Sequence, residues 1–152
     1  MPRFAANLTL LFNEVAFLDR FAAAAQAGFE AVECLFPYAY AAQDIRLRLD
    51  AHPDRVDEFR SGVAQGIAYA QALGVNQLNC LAGIAPAGVP EDVLRDTLVA
   101  NLQYAAQAFK DAGLRLLLEP INTFDIPGFY VCRTDQALSI LDAVGADNLF
   151  VQ

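Results

Sequence analysis

The sequence predicts an α/β fold built on a parallel sheet, and three observations support this. Helical patterns and short apolar strands alternate along the 152 residues, in units of roughly 30–45 residues, the size of a β/α unit. Several of the predicted helices end at a glycine just before a strand. A polar side chain lies near the carboxyl end of successive strands. Because alternating strands and helices give parallel sheets with right-handed crossovers, these polar ends are expected to cluster at one rim.

The clearest of five predicted strands covers residues 114–119 (LRLLLE). Its near-continuous apolar run suits a strand that is buried on both faces of a parallel sheet. Pro120 ends it, because proline cannot donate a hydrogen bond to a sheet ladder. The other four strands are predicted over residues 3–11, 29–35, 75–81 and 148–152.

Helices are predicted between the strands from apolar residues spaced three and four apart. Asn13 caps a helix that reaches residue 27, and a longer helix covers residues 54–73 before Gly74. Pro90 begins a helix that ends near residue 112, and Thr134 caps a helix that ends at residue 144. A short helix is predicted over residues 41–50. The predicted core positions are Phe17, Leu18, Phe21, Ala24, Ala25, Val56, Phe59, Val63, Ile67, Ala70, Leu94, Leu98, Leu102, Ala105 and Phe109.

Glu119 stands out because it ends a buried strand, and α/β folds place their chemistry at the carboxyl ends of strands. Isolating a carboxylate there costs free energy unless something binds it. Taken alone, the position fits a functional acid and a structural acid about equally well. In the structural case a neighbouring arginine or backbone N–H groups would hold the carboxylate.

The turn after the first predicted strand excludes one common α/β architecture. Residues 10–13 (LLFN) contain no glycine, so the glycine-rich turn of dinucleotide-binding folds is missing, and no phosphate loop occurs elsewhere. The periodicity alone does not separate an open sheet from a barrel. The missing turn favours a (β/α) barrel or a piece of one, and leaves a nucleotide-binding module as a weak alternative.

Composition and charge exclude several classes of partner. Ten Lys and Arg against 18 Asp and Glu give a net charge of −8, which argues against nucleic acid and against an anionic membrane surface. A small anionic substrate would need a local cation or a metal. No apolar stretch reaches transmembrane length, and the N-terminus does not read as a signal peptide. The cysteines, Cys34, Cys80 and Cys132, are odd in number and far apart, which predicts free thiols in a reducing cytoplasm.

Residues 119–129 (EPINTFDIPGF) resemble the signature segment of the hydroxypyruvate isomerase family, which belongs to the xylose isomerase-like TIM barrels. Three further stretches agree with that family: residues 4–8 (FAANL), residues 23–38 (AAAQAGFEAVECLFPY), and residues 79–83 (NCLAG) followed by 86–88 (PAG). The resemblance covers nearly the whole chain and implies one TIM-type domain over residues 1–152. It also implies interconversion of hydroxypyruvate and tartronate semialdehyde, or of a related small sugar acid, through an enediolate.

The resemblance carries expectations for particular residues. Family members use a pair of strand-end glutamates around a divalent metal, and Glu119 matches the first glutamate. Its carboxylate would move the proton next to the carbonyl, while Mg²⁺ or Mn²⁺, or fixed hydrogen bonds, would stabilise the enediolate oxygen. Glu119 is therefore predicted as the catalytic residue and as a metal ligand.

Four other polar residues are expected to bind the substrate. Asn7, Glu33 and Asn79 match polar strand-end positions, and Asn122 lies in the matched run that follows Glu119. The alternatives are ordinary structural roles. In these, the two strand asparagines bond only to neighbouring backbone, and Glu33 pairs with Arg3.

The chain departs from the family pattern in two places. The family has a further strand and a tryptophan-containing loop between the segments that match residues 41–50 and 54–73, whereas this chain has only residues 51–53 there and no tryptophan. The family also continues past the segment that matches Gln152, into strands that supply an Asp, another polar ligand and the second glutamate. One carboxylate does not make a tight hard-cation site, so the metal site is expected to be incomplete. His52, beside a proline, is expected to be a solvated loop residue.

These departures predict a partial barrel of about five parallel strands with exposed edges, which invites a homo-oligomer. Leu8, Leu10, Leu118 and Phe150 belong to strands whose inward residues the missing strands would cover. The alternative to an isomerase is a non-catalytic barrel fragment of the same ancestry, which persists only as an oligomer or is unstable.

Overall fold

A computed structural model describes residues 4–34 and 55–152 of the chain. These residues fall into two compact units, Met1–Ile45 and Arg46–Gln152. The short helix predicted over residues 41–50, the linker residue His52 and the residue Arg3 lie outside the described residues.

The first unit contains a pair of parallel strands and one short helix. Strand β1 spans Ala5–Asn7, a 3₁₀ turn spans Phe17–Asp19, helix α1 spans Arg20–Gln26, and strand β2 spans Ala31–Glu33. The two strands pair in parallel, with Asn7 opposite Glu33. A small core of Ala6, Leu8 and Ala24 lies between the sheet and the helix.

The helix predicted from Asn13 begins six residues later than expected, at Arg20. Asn13 does not cap it, because its Nδ2 atom donates to the carbonyl oxygen of Leu10 at 2.9 Å and so closes the preceding turn. The chain then forms the 3₁₀ turn, whose three residues per turn do not continue the face of an α-helix. Leu18 and Phe21 are consequently exposed, and Ala24 is the residue of the predicted face that is fully buried.

The second unit alternates helices and strands as the sequence predicts. Helices α2, α3 and α4 span Val56–Leu73, Glu91–Asp111 and Thr134–Val144, and strands β3, β4 and β5 span Gln77–Cys80, Arg115–Leu118 and Leu149–Val151. All three strands are parallel in the order β3-β4-β5. Of the ten predicted core residues of α2 and α3, Val56 and Ile67 are only half-buried, and the other eight are buried in the core of this unit: Phe59, Val63, Ala70, Leu94, Leu98, Leu102, Ala105 and Phe109.

The two faces of this three-stranded sheet differ in exposure. Leu116 and Leu118 on β4 are fully buried in the core that the helices share. Phe150 on β5 lies on the opposite face by strand alternation and is 44% exposed. The expectation that Leu8 and Leu118 would be uncovered is therefore wrong, since both are fully buried, whereas Leu10 and Phe150 are exposed as expected.

Helix boundaries agree with the predictions to within one or two residues in this unit. Pro90 occupies the N-cap position, with extended φ and ψ of −60° and 146°, and the first helical residue is Glu91. Thr134 is itself the first residue of α4 and follows Arg133 at the N-cap. Gly74 and Gly145 end α2 and α4 with φ values of 67° and 68°, the left-handed conformation that glycine adopts without strain.

Candidate active site

Glu119 lies directly after β4, at the carboxyl edge of the three-stranded sheet. Its carboxylate oxygen Oε2 accepts a hydrogen bond of 2.6 Å from Nδ2 of Asn79 on the neighbouring strand β3. Cys80 pairs with Leu118, which brings the ends of the two strands level. The structure thus joins two of the predicted site residues, and Asn79 does not bond only to neighbouring backbone.

The surroundings of this pair are partly buried. Glu119 and Asn79 are both of intermediate exposure. The Oδ1 atom of Asn79 is buried and has no hydrogen-bond partner among the described residues. Gln152 follows β5 at the same edge, and its backbone N–H donates to the carbonyl oxygen of Leu118 at 3.1 Å. Asn79, Glu119 and Gln152 therefore occupy the carboxyl edge of neighbouring strands, as predicted.

The long segment after Glu119, residues 121–131, is hydrogen-bonded through its backbone to the segment that follows β3. The Ala85 N–H donates to the Gly128 carbonyl at 3.0 Å, and the Tyr130 N–H donates to the Gly83 carbonyl at 2.9 Å. Ile84 and Phe129 form an antiparallel bridge between these two bonds. Since both segments start at the strand ends that carry Asn79 and Glu119, the pairing restrains the backbone beside the site.

Two side chains that the sequence analysis missed hold the same segment. Tyr130 is 7% exposed and its hydroxyl donates to Oε1 of Glu91 on α3 at 2.9 Å. Burial raises the pKa of Tyr130, and the Glu91 carboxylate raises it further. Gln136 on α4 donates from Nε2 to the Tyr130 carbonyl at 2.9 Å and accepts from the Cys132 N–H at 3.1 Å. A glutamine at the third helical position was the available signal, because such residues reach back to N–H groups before the helix.

Asn122 shapes a turn of the same segment. Its Oδ1 accepts from the backbone N–H groups of Phe124 at 3.0 Å and Asp125 at 2.9 Å. Its Nδ2 donates to the Asp125 carboxylate at 2.9 Å. Phe124 at the tip of the turn is 92% exposed. These bonds account for the polar atoms of Asn122 locally, and its predicted contact with substrate stays a prediction.

The first unit contains a similar pair at the ends of its two strands. Asn7 donates from Nδ2 to Oε1 of Glu33 at 2.9 Å and accepts from the Thr9 N–H at 3.0 Å. Asn7 thus contacts a carboxylate as well as neighbouring backbone. The pKa of the adjacent Cys34 thiol is raised by burial and by the Glu33 charge. The predicted substrate contacts of Asn7 and Glu33 stay predictions.

The cysteines agree with the prediction of free thiols. Cys34, Cys80 and Cys132 form no disulfide. Cys80 is buried in the core of the second unit, and its burial raises the pKa of its thiol. Among the helices of the described ranges, none has both the length and the apolar character needed to cross a membrane.

The described residues do not make a metal centre by themselves. Within residues 4–34 and 55–152, no group of three or more His, Cys, Asp or Glu side chains comes together. Mg²⁺ takes six oxygen ligands in near-octahedral geometry, whereas the site described here contributes the Glu119 carboxylate, one oxygen of which already accepts from Asn79. The predicted divalent metal stays a prediction, and we derive no chemical step through it.

A family model and several known proteins match this chain. A family model described as xylose isomerase-like TIM barrel matches residues 47–152. Hydroxypyruvate isomerase of Escherichia coli (strain K12) is 43% identical and 2-oxo-tetronate isomerase of Cupriavidus necator is 42% identical. Each alignment includes 100% of this chain and 68% of the relative. The alignments run over 176 residues, so both relatives contain residues within the matched region that this 152-residue chain lacks.

The solved structures agree with the predicted fold. The crystal structure of AP endonuclease, family 2 from Brucella melitensis matches with a TM-score of 0.90 and 35% identity, over 100% of this chain and 68% of that chain. An L-ribulose 3-epimerase matches with a TM-score of 0.75 and 20% identity, over 99% of this chain and 60% of that chain, which supports the fold alone. The predicted resemblance and the predicted barrel architecture are both confirmed.

Proposed function

The chain belongs to the xylose isomerase-like TIM-barrel family and is similar to curated isomerases, and on that premise we propose that it isomerises a short 2-oxo acid with a hydroxyl group on carbon 3. Hydroxypyruvate, with tartronate semialdehyde as its product, is the first substrate to test. The relative named for hydroxypyruvate and the relative named for 2-oxo-tetronate differ by one percentage point in identity. Both compounds carry a ketone between a carboxylate and a hydroxyl-bearing carbon, so one mechanism serves both.

The proposed reaction moves one proton between two carbons. A base removes the proton from carbon 3, and the electron pair of that C–H bond forms a carbon–carbon double bond while the ketone oxygen becomes an enediolate oxygen. The hydroxyl proton passes from the oxygen on carbon 3 to the oxygen on carbon 2. The acid formed in the first step then protonates carbon 2, which leaves a carbonyl on carbon 3. No atom is gained or lost, and no oxidant is required.

Glu119 is the residue that we assign to this proton transfer. The observation that carries the assignment is its place directly after β4 in partly buried surroundings, with the amide of Asn79 bonded to one carboxylate oxygen. A carboxylate that is partly shielded from water is a suitable base for a proton next to a carbonyl. The segment of residues 121–131 supports this role, because its backbone hydrogen bonds to the segment after β3 restrain the backbone next to Glu119.

The test is turnover of hydroxypyruvate in D₂O, followed by NMR. We expect tartronate semialdehyde with deuterium on carbon 2, because the proton on the base exchanges with solvent before it returns. The Glu119→Gln variant should lower kcat by at least about 100-fold, the usual scale of a lost general base. The matched control is Glu30→Gln, which removes an exposed carboxylate between α1 and β2 and should leave kcat unchanged.

Two results would count against the proposal in different ways. Near-normal kcat in Glu119→Gln would remove Glu119 from the mechanism while leaving the isomerase function in place. A folded wild-type chain with no turnover of hydroxypyruvate or 2-oxo-tetronate would contradict the function itself. That second result would favour the non-catalytic alternative.

A further inference from the structure

We infer that Asn79 is a positioning residue for Glu119. The Asn79 amide holds the Oε2 atom of the Glu119 carboxylate, and the Oε1 atom of that carboxylate carries the transferred proton. This inference rests on the proposed function of Glu119. It differs from a substrate-binding role for Asn79, because the side chain acts through the carboxylate and not on the substrate.

The contact itself is the first support. The amide nitrogen of Asn79 lies 2.6 Å from Oε2 of Glu119, slightly shorter than the usual range for an N–H···O hydrogen bond. The two residues are 40 positions apart in the chain and lie on adjacent strands. Asn79 lies near the end of β3, in the stretch that pairs with β4, so it fixes the carboxylate more firmly than a donor on a free loop would.

The unpartnered oxygen of Asn79 is the second support. Its Oδ1 is buried without a partner among the described residues, and a buried polar atom without a hydrogen bond costs about 1–3 kcal/mol. Rotating the amide by half a turn would put that oxygen against the Glu119 carboxylate and leave two acceptors in contact. The donor bond to Glu119 therefore determines how this amide is oriented, and the position tolerates an unsatisfied atom in order to keep a donor there.

The geometry then assigns different tasks to the two carboxylate oxygens. Oε2 is occupied by Asn79, and Oε1 has no hydrogen bond to any of the described residues. Oε1 can accept the proton from carbon 3 of the substrate and, after exchange with solvent, donate a proton to carbon 2. Oε2 keeps its bond to the Asn79 amide in both states, because it remains an acceptor when Oε1 is protonated. Both proton transfers thus occur at one oxygen in a fixed position.

The experiment compares kcat and KM for wild type, Asn79→Ala and Asn79→Leu, with hydroxypyruvate as substrate. Both variants lack the donor and add no charge beside Glu119, and leucine has nearly the shape of asparagine, so Asn79→Leu tests the inference if the alanine variant does not fold. We expect kcat to fall by about 10- to 100-fold, the scale of a lost hydrogen bond to a charged group. KM should change by less than about threefold, because uniform binding is retained.

Two further variants separate positioning from a structural role. Asn79→Gln keeps an amide donor and should recover part of the lost kcat. Asn76→Ala removes an exposed asparagine just before β3 and should behave as wild type. The thermal midpoints of Asn79→Ala and Asn79→Leu should stay within about 4 °C of wild type, since these substitutions also remove a buried unpaired oxygen.

Three outcomes would contradict the inference, and they differ in what they imply for the proposed function. Wild-type kcat in a folded Asn79→Ala or Asn79→Leu variant overturns the inference while the isomerase function survives. A raised KM with unchanged kcat also overturns it, and would assign Asn79 to substrate binding. Absence of turnover in the folded wild-type chain overturns the proposed function and this inference together.

Discussion

At the scale of residues, the same hydrogen-bonded pair occurs twice: an asparagine near the end of one strand donates to a glutamate at the end of the neighbouring strand. Asn7 donates to Glu33 at 2.9 Å, and Asn79 donates to Glu119 at 2.6 Å. The first bond is exposed, whereas the second is partly buried, and a hydrogen bond in less polar surroundings is electrostatically stronger. This difference favours Glu119 over Glu33 as the carboxylate with a defined orientation.

We predict that the site around Glu119 binds divalent metal ions only weakly. One carboxylate and an amide that donates to it supply few of the oxygen ligands that Mg²⁺ or Mn²⁺ needs. We expect the 152-residue chain to bind Mn²⁺ only in the millimolar range, roughly as in sites with few charged ligands. Calorimetry with Mn²⁺ measures this, and the Glu119→Gln variant is the comparison. Micromolar binding would show that more ligands reach the site, for example from a second copy.

Sequence reasoning located the strand-end residues but not their contacts. Pro120 after an apolar run defines where β4 stops, so Glu119 could be placed from local sequence alone. The bond from Asn79 depends on which strands are neighbours and on their register, and neither is written in a local pattern. For the same reason the role of Tyr130 was missed, because its partner Glu91 lies 39 positions away.

At the scale of elements, the segment after β4 behaves as part of the core and not as a free loop. Phe129, Tyr130 and Val131 are buried with the helices of the second unit. The Tyr130 hydroxyl reaches Glu91 in the first turn of α3, and Gln136 in the first turn of α4 holds the Tyr130 carbonyl. The segment beside Glu119 is therefore tied to the beginnings of two helices.

The Tyr130 hydrogen bond predicts a loss of stability at alkaline pH. Burial is the largest cause of the raised pKa of Tyr130 and the Glu91 carboxylate raises it further, whereas the smaller effects of Arg95 and Asp96 oppose each other. The folded state thus keeps a proton that the unfolded chain releases above its ordinary pKa of about 10. Because the folded state binds more protons there, this contribution to stability is complete below about pH 10 and is lost as the pH rises further.

Urea unfolding of Tyr130→Phe at pH 8 and at pH 10.5 tests this. At pH 8 the variant should lose about 1.5–3 kcal/mol of unfolding free energy, the scale of a hydrogen bond to a charged acceptor. Its further loss at pH 10.5 should be smaller than that of wild type. Cys80, whose thiol ionises in the unfolded chain but is kept protonated by burial in the folded one, contributes equally to both. Tyr104→Phe, which changes an exposed tyrosine on α3, is the control. An equal alkaline loss in wild type and Tyr130→Phe would contradict the expectation.

The two ends of the helices differ in how well local sequence signals predict them. Gly74 and Gly145 ended their helices as predicted, because a left-handed residue is a backbone requirement that glycine meets without strain. Asn13 failed as a cap, since its side chain found the Leu10 carbonyl first. Asparagine serves turns and caps through the same hydrogen bonds, so its presence alone does not distinguish the two.

At the scale of the whole molecule, apolar exposure bears on assembly. Parallel sheets are normally covered on both faces, yet Phe150 on β5 is 44% exposed on the face opposite the helices of the second unit. Further exposed apolar side chains include Phe4, Leu10, Leu11, Val32 and Phe124. Leaving apolar surface in water costs about 25 cal/mol per Å². The net charge of −8 opposes association without covering that surface.

We therefore predict that the chain associates at micromolar concentration, most simply as a two-fold dimer that covers the exposed face around Phe150. Phe150→Lys should weaken the association, because it puts a charge into the apolar contact. Leu138→Lys is the matched control, since Leu138 is 51% exposed on α4 and lies away from that face. Association should also strengthen between 0.05 and 0.5 M salt, given as rough limits, because salt screens the repulsion between two chains of charge −8. Light scattering and sedimentation measure all three effects. A monodisperse monomer that melts cooperatively and binds little apolar dye would show that the chain covers its own sheet, and would rule out this assembly.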